Sequence, residues 1–254
     1  LQNLAAAGLF SRAQGLVSMF DRLVSDAVYP VVLSLFSKEM RESRDTSSSF
    51  LKALSYVSAL SWSFAIALVF LAHPVIRLLY GDQWDQSANL ARLLAVTMAF
   101  AAPITLSRAA LLGSGEATKM LKATLFTVAL TVPLATAAAF AGLLHLGAAL
   151  LLCALVSVLV WLSAVRSVIK FTWGELTIEL RKSLAVALAA GVAPAGAFLT
   201  WGAHPEQLLL PLSVGIVGCG IGLLIAVQLV KHPLEAELKR IMQALARLFT
   251  GGLK

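Results

Sequence analysis

The sequence predicts an all-α fold, a polytopic transmembrane helix bundle of about seven spans. Three observations predict it. Of 254 residues, 59% are hydrophobic and 13% charged, with a mean hydropathy of +0.86; soluble chains run at roughly 45–50% apolar and about 25% charged. Apolar runs of about 17–25 residues, enough for a hydrocarbon core of about 30 Å, recur along the chain. Lys and Arg gather in alternate connections between those runs instead of lining one soluble face. This composition excludes a disordered chain and argues against a sheet-rich soluble enzyme. The net charge of +7 is accounted for by its placement, so no nucleic-acid partner is expected.

The first run covers residues 15–37 and is interrupted by Asp21, Arg22 and Asp26. A basic connection with Lys38, Arg41, Arg44 and Lys52 leads to the second run, 54–72. Residues 73–87 carry Arg77 against Asp82 and Asp85, and precede the third run, 88–112. Lys119 and Lys122 introduce the fourth, 122–144; a turn at Leu146 and Gly147 without Lys or Arg introduces the fifth, 147–168. Arg166, Lys170, Arg181 and Lys182 follow, around WGELTIELRK, where Leu176, Ile178 and Leu180 alternate with charges. That stretch reads as a short interfacial helix. The sixth and seventh runs, 183–201 and 208–230, flank a connection without Lys or Arg. In the tail, Leu234, Leu238, Ile241, Leu245 and Leu248 recur at steps of three and four, with Lys239, Arg240 and Arg247 off that stripe. This pattern suits an amphipathic helix on the inner membrane surface.

The expected organisation is a five-span bundle over 1–168, a linker helix over 169–182, two further spans over 183–230, and a basic tail over 231–254. Fifteen basic residues fall on one side of the spans, against Arg77 in the opposite connections, with Arg12 and Arg92 close to that side. The positive-inside rule makes the basic side cytoplasmic, which puts the start outside and the C-terminus inside. A start outside at Leu1, with no signal peptide, implies an upstream segment.

Catalytic apparatus is absent from the sequence, so no enzyme is expected. His73, His145, His204 and His232 are scattered, and none forms a metal-binding or acyltransferase-like motif. Gly113-Ser114-Gly115 lacks the Lys and Ser/Thr of a phosphate cradle and reads as a turn. Cys153 and Cys219 read as buried small hydrophobes. Gly218 and Gly222, beside Gly215 and Gly220, allow close helix approach, either within the bundle or in a dimer. Pro30, Pro103, Pro133 and Pro194 fall inside spans, where each removes a backbone donor.

Charges inside spans carry the functional signal, because burying one in lipid costs roughly 2.5 to over 10 kcal/mol. Asp21, Arg22 and Asp26 therefore face protein or a water-filled cavity. They form either an ordering ion pair or the wall of a polar cavity. In the second reading Arg22 binds phosphate, and Asp21 or Asp26 accepts a proton or Na⁺. Arg12 and Arg108 lie near span ends and are further candidates for substrate contact.

Several segments resemble a known family. Gly8-Leu9-Phe10-Ser11-Arg12-Ala13-Gln14 is similar to the G-L/Y-Y-S-R-A stretch of bacterial polysaccharide and oligosaccharide flippases of the lipid-linked O-antigen type. Tyr29-Pro30-Val31-Val32-Leu33-Ser34 resembles their F-P-x-x-S segment, and Leu79-Tyr80-Gly81-Asp82-Gln83-Trp84 their L-x-G-x-x-W loop. Leu90 to Ala95, then Pro103, then Ala109 to Glu116, continue in the family's order. The family belongs to the superfamily of multidrug and toxin extruders and the lipid II flippase, two-lobed proteins of twelve to fourteen helices.

The resemblance implies that this chain matches the C-terminal lobe plus two extra helices, with a missing N-terminal lobe as its partner. It implies movement of an undecaprenyl-diphosphate-linked oligosaccharide from the cytoplasmic to the periplasmic leaflet of the bacterial inner membrane by alternating access. No cofactor is implied beyond coupling H⁺ or Na⁺. Membrane lipids and polysaccharide polymerase or assembly proteins are the further partners. Alternatives are a multidrug or small-cation exporter of the same superfamily, and a non-transporting scaffold of a polysaccharide assembly complex.

Overall fold

The computed structural model describes residues 2–42, 45–202 and 207–235. Among them every regular element is a helix: α1 (Gln2–Arg41), α2 (Thr46–Tyr80), a 3-10 turn (Asp82–Trp84), α3 (Ser87–Met98), α4 (Ala101–Gly113), α5 (Ala117–Ala141), α6 (Leu143–Arg166), α7 (Trp173–Trp201) and α8 (Leu209–Leu229). Among the described residues six segments are long and apolar enough to cross a membrane, with α3 and α4 counting as one, against the seven expected. The exception is α1. It has length to spare at 40 residues, but Arg12, Gln14, Asp21, Arg22 and Asp26 break its apolar character.

Successive helices run in alternating directions, and two buried clusters mark the two ends. Phe36, Phe50, Leu111, Val165 and Phe171 gather the end of α1, the start of α2 and the connections 113–117 and 166–173 into one cluster. Lys38, Arg41, Lys119, Lys122, Arg166 and Lys170 flank those connections, so this is the basic end. Ala13, Ile76, Ala88 and Leu90, with Tyr80, Trp84 and Leu143 against them, form the other cluster. The charge alternation read from the sequence is thus a separation in space.

Backbone chemistry explains the joints. Pro103 has no N–H for the Ala99 carbonyl one turn upstream, and the helix breaks there into α3 and α4. Trp62 Nε1 of α2 donates to that carbonyl at 2.7 Å. Trp62→Phe is expected to leave the oxygen without this donor and cost about 1–3 kcal/mol, measurable as a lower melting temperature in detergent. Gly142 alone joins α5 to α6 at φ +128°, a conformation open to glycine. Thr172 begins α7 with a capping box: its Oγ1 accepts from Glu175 N at 3.2 Å, and Glu175 Oε2 accepts from Thr172 N at 2.8 Å. Nothing stops the helix after that cap. Residues 173–182, expected as a separate interfacial helix, are therefore the first turns of α7. The amphipathic stripe expected in the tail lies outside the described residues beyond Glu235.

Packing of α2, α7 and α8 depends on small residues. A Cβ on Gly222 would sit 2.9 Å from the Ala189 carbonyl oxygen and 3.2 Å from Ala190 Cα, and one on Gly215 would sit 2.7 Å from Leu71. Added carbons at Gly218 and Gly191 would collide with Ala193 and Ile66. The glycine stripe on α8 therefore works inside the bundle. By contrast α5 is peripheral, with 6% of its apolar stretch buried.

A polar knot ties α2, α7 and the chain after α8. The His232 ring is buried; its Nδ1 accepts from Leu234 N at 3.2 Å, which assigns the proton to Nε2. Nε2 lies 2.8 Å from Ser55 Oγ and 3.2 Å from Ser183 Oγ, and Ser183 Oγ donates to the Ser55 carbonyl at 3.0 Å. Burial lowers the His232 pKa below 6.5; nearby Glu179 opposes the shift and Lys182 adds to it. The unfolded chain thus binds a proton just below pH 6.5 that the folded chain refuses, so stability falls as pH drops through that window. Thermal unfolding from pH 7.5 to 5 is expected to show this decline, and His232→Asn is expected to flatten it.

Candidate functional site

Helix α1 lies between a polar cleft and an apolar groove. Gln14, Ser18 and Asp21 recur at steps of three and four, so one face of α1 presents all three. That face lines a cleft of about 350 Å³, completed by Thr97 of α3, Ile104 of α4, Thr131 of α5 and Ser157 of α6. Ser18 Oγ donates to the Gly15 carbonyl at 3.1 Å, and Thr97 Oγ1 to the Leu93 carbonyl at 2.9 Å. These hydroxyls are satisfied along their own helices and still offer acceptor lone pairs. Asp21 is the one charged side chain among the residues lining the cleft.

The neighbouring face of α1 carries Leu16 and Phe20 into a groove of about 490 Å³ shared with α2 and α8. Leu60, Phe64, Leu68, Ile216 and Leu223 supply its walls. Phe20 stacks on Phe64 with ring centroids 3.9 Å apart. Cys219 lines this groove and Cys153 the polar cleft; both are free thiols.

The five candidate residues are not gathered at one point. Asp21 alone lines the cleft. Arg108 is exposed on α4, one turn past Ile104, with its guanidinium 5.6 Å from the Trp161 ring centre. Trp161 itself lies one turn past Ser157, which puts Arg108 and Trp161 on the same stripes at the cleft's basic-end side. Arg22 and Asp26 are exposed on another side of α1, four residues apart, near the exposed Met19.

Arg12 has different company. Its guanidinium lies 5.2 Å from the Tyr80 ring centre and 5.0 Å from that of Trp84, where α2 ends. Gly8 permits a close approach, since a Cβ there would be 3.0 Å from Trp84, whereas one on Gly15 would make ordinary contact with the Tyr80 hydroxyl at 3.5 Å. Segments 8–14 and 79–84 therefore meet as a cation–π clasp, each such contact worth about 0.5–1 kcal/mol at an exposed site. Sequence reading singled out both segments but not their contact. It also missed Gln14, Ser18, Thr97 and Ser157, whose helical spacing with Asp21, Ile104 and Cys153 was the available signal. Among the described residues, no group of three or more His, Cys, Asp or Glu side chains is placed to hold a metal ion.

Residues 1–89 match a family described as polysaccharide biosynthesis protein. The matched segment holds α1, α2 and the Arg12–Tyr80–Trp84 clasp. No curated protein and no solved structure matches the chain. Together with the six apolar segments, the match supports a multi-pass membrane protein related to polysaccharide biosynthesis.

Proposed function

We propose that this chain is part of a flippase that carries undecaprenyl-diphosphate-linked oligosaccharide across the bacterial inner membrane. The observation that carries this reading is the pair of cavities on either side of α1, a helix that belongs to the segment matching the polysaccharide family. A lipid-linked sugar is an amphiphile. Its head needs hydroxyls, amides and charges in place of water, and its tail needs an apolar path. The cleft offers the first and the groove the second. Loading is from the basic, cytoplasmic end, where Arg108 meets the diphosphate, and release is toward the end carrying the Arg12 clasp, by alternating access.

Arg22 and Asp26 face away from the bundle, a costly arrangement in lipid. A second polar wall, the N-terminal lobe implied by the resemblance, covers them and completes the cavity. In this scheme Arg22 contacts the head group, while Asp21 and Asp26 exchange H⁺ or Na⁺. Transport breaks no covalent bond, so no catalytic group or cofactor is required. Expression from the native gene in a strain lacking its O-antigen-type flippase tests the reading. Restored surface polymer is expected; accumulation of unflipped lipid-linked oligosaccharide at normal membrane levels of the protein would refute it.

A second reading draws on one observation, that Asp21 is the charged residue of the cleft's lining and no arginine lines it. Such a site suits a small organic cation. Export of a fluorescent cation by whole cells, lost in Asp21→Asn with polymer export unaffected, would favour that reading.

A further inference from the structure

We infer that a second pocket, at the end opposite the basic one, binds one or two sugar rings of the transported glycan. The inference rests on the proposed function for the source of the sugar. The pocket lies between α2, α3, α7 and α8 and measures about 290 Å³, near the lower bound of small-ligand sites, roughly 300–1,000 Å³. That size admits a mono- or disaccharide and excludes a polymer.

Its lining combines the two surfaces that a sugar presents. Phe70, Phe198 and Trp201 supply aromatic faces for the C–H side of a pyranose ring, and Asp85, Asn89 and Arg92 supply planar polar groups for its hydroxyls. The polar groups are held in place. Arg92 Nε donates to the Val69 carbonyl at 3.0 Å and Nη1 to Asn89 Oδ1 at 2.6 Å, while its guanidinium lies 5.9 Å from the Phe198 ring centre. Because Asn89 Oδ1 accepts from Arg92, its amide presents N–H donors to a ligand. Asp85 Oδ2 sits 3.5 Å from His73 Nε2 and 3.8 Å from Arg77 Nη1.

This arrangement disfavours the other ligand an arginine suggests. A phosphate would meet the Asp85 carboxylate, and Arg77 beside it is already engaged by that carboxylate. A hydroxyl both donates and accepts, and so can use the carboxylate, the amide and the guanidinium together. The pocket shares its end of the bundle with the Arg12 clasp, the side on which the proposed transport releases its cargo.

Saturation-transfer NMR on the full chain in lipid nanodiscs tests this, using soluble disaccharides of glucose, galactose, rhamnose and N-acetylglucosamine, with sodium phosphate as a separate probe. At least one disaccharide is expected to bind, with transfer strongest at ring C–H protons. Trp201→Ala and Asn89→Ala are expected to weaken binding at least tenfold, and Trp201→Phe to retain it within about threefold. Matching melting temperatures establish that the variants fold. No disaccharide binding, binding indifferent to both alanine variants, or phosphate competing for the pocket would each overturn the inference. Failure of lipid translocation with disaccharide binding intact would instead remove the proposed function and leave the pocket standing.

Discussion

Asp21→Asn is expected to slow translocation of lipid-linked oligosaccharide at least tenfold at equal membrane levels of the protein. Asparagine keeps the shape of the carboxylate and removes its charge, so packing against Leu94, Met98 and Ile104 around the cleft persists. Asp21 is the only charge in that lining, and a charge at this depth interacts strongly with any ion or cationic partner that enters. A tenfold loss corresponds to about 1.4 kcal/mol of transition-state stabilisation. Asp21→Glu is expected to retain part of the rate. Arg12→Lys, which keeps the charge at the clasp, is expected to cost far less than Asp21→Asn. An Asp21→Asn protein that transports at the wild-type rate would remove Asp21 from the mechanism.

Gly222→Leu is expected to separate α8 from α7 and lower the melting temperature well beyond Gly220→Leu. Its first added carbon meets the Ala189 carbonyl oxygen at 2.9 Å and Ala190 Cα at 3.2 Å, so backbone must move. Overpacking of this kind costs about 1–3 kcal/mol, and here no flexible side chain absorbs it. Gly220→Leu provides the control, because a Cβ there has open space around it. Thermal denaturation of both variants in one detergent decides the matter. Equal loss in the two would mean that the glycines serve helix flexibility or contact between chains, not the fit of α8 on α7.

The apolar runs made the membrane-spanning helices legible, because length and hydropathy are local properties of a sequence. The break between α3 and α4 was only half legible. Pro103 announced a lost backbone donor, but the compensating Trp62 comes from a different helix. Among the described residues α1, the expected span that Asp21, Arg22 and Asp26 interrupt, has the length of a span but not the apolar composition of the other six. Residues 173–182 carried the charges of an interface, and the Thr172 capping box nevertheless starts one helix that runs unbroken to Trp201.

The site divided in the same way. Asp21, Arg22 and Asp26 interrupt one apolar run, and Arg12 lies just ahead of its start. At about 100° per residue, Asp21 points opposite Arg12, while Arg22 and Asp26 fall on the half of the helix that Arg12 shares, away from Asp21. Helical spacing therefore already contained the separation of cleft from exposed face. What it could not contain was the partner of each face: Tyr80 and Trp84 against Arg12, Trp161 against Arg108, and the α6 side of the cleft against Asp21. Those contacts join helices far apart in the chain.

The central claim, that a polar head crosses beside α1, is tested most directly in proteoliposomes. Lipid-linked oligosaccharide would be loaded in both leaflets with the purified product of the native gene, and the fraction reached by an external, membrane-impermeant glycosidase measured over time. The account predicts that nearly all the substrate becomes accessible with the wild-type protein, at least ten times more slowly with the Asp21→Asn variant, and that about half, the outer leaflet alone, is reached with empty liposomes. Accessibility that stays at half with a correctly folded wild-type protein would contradict it.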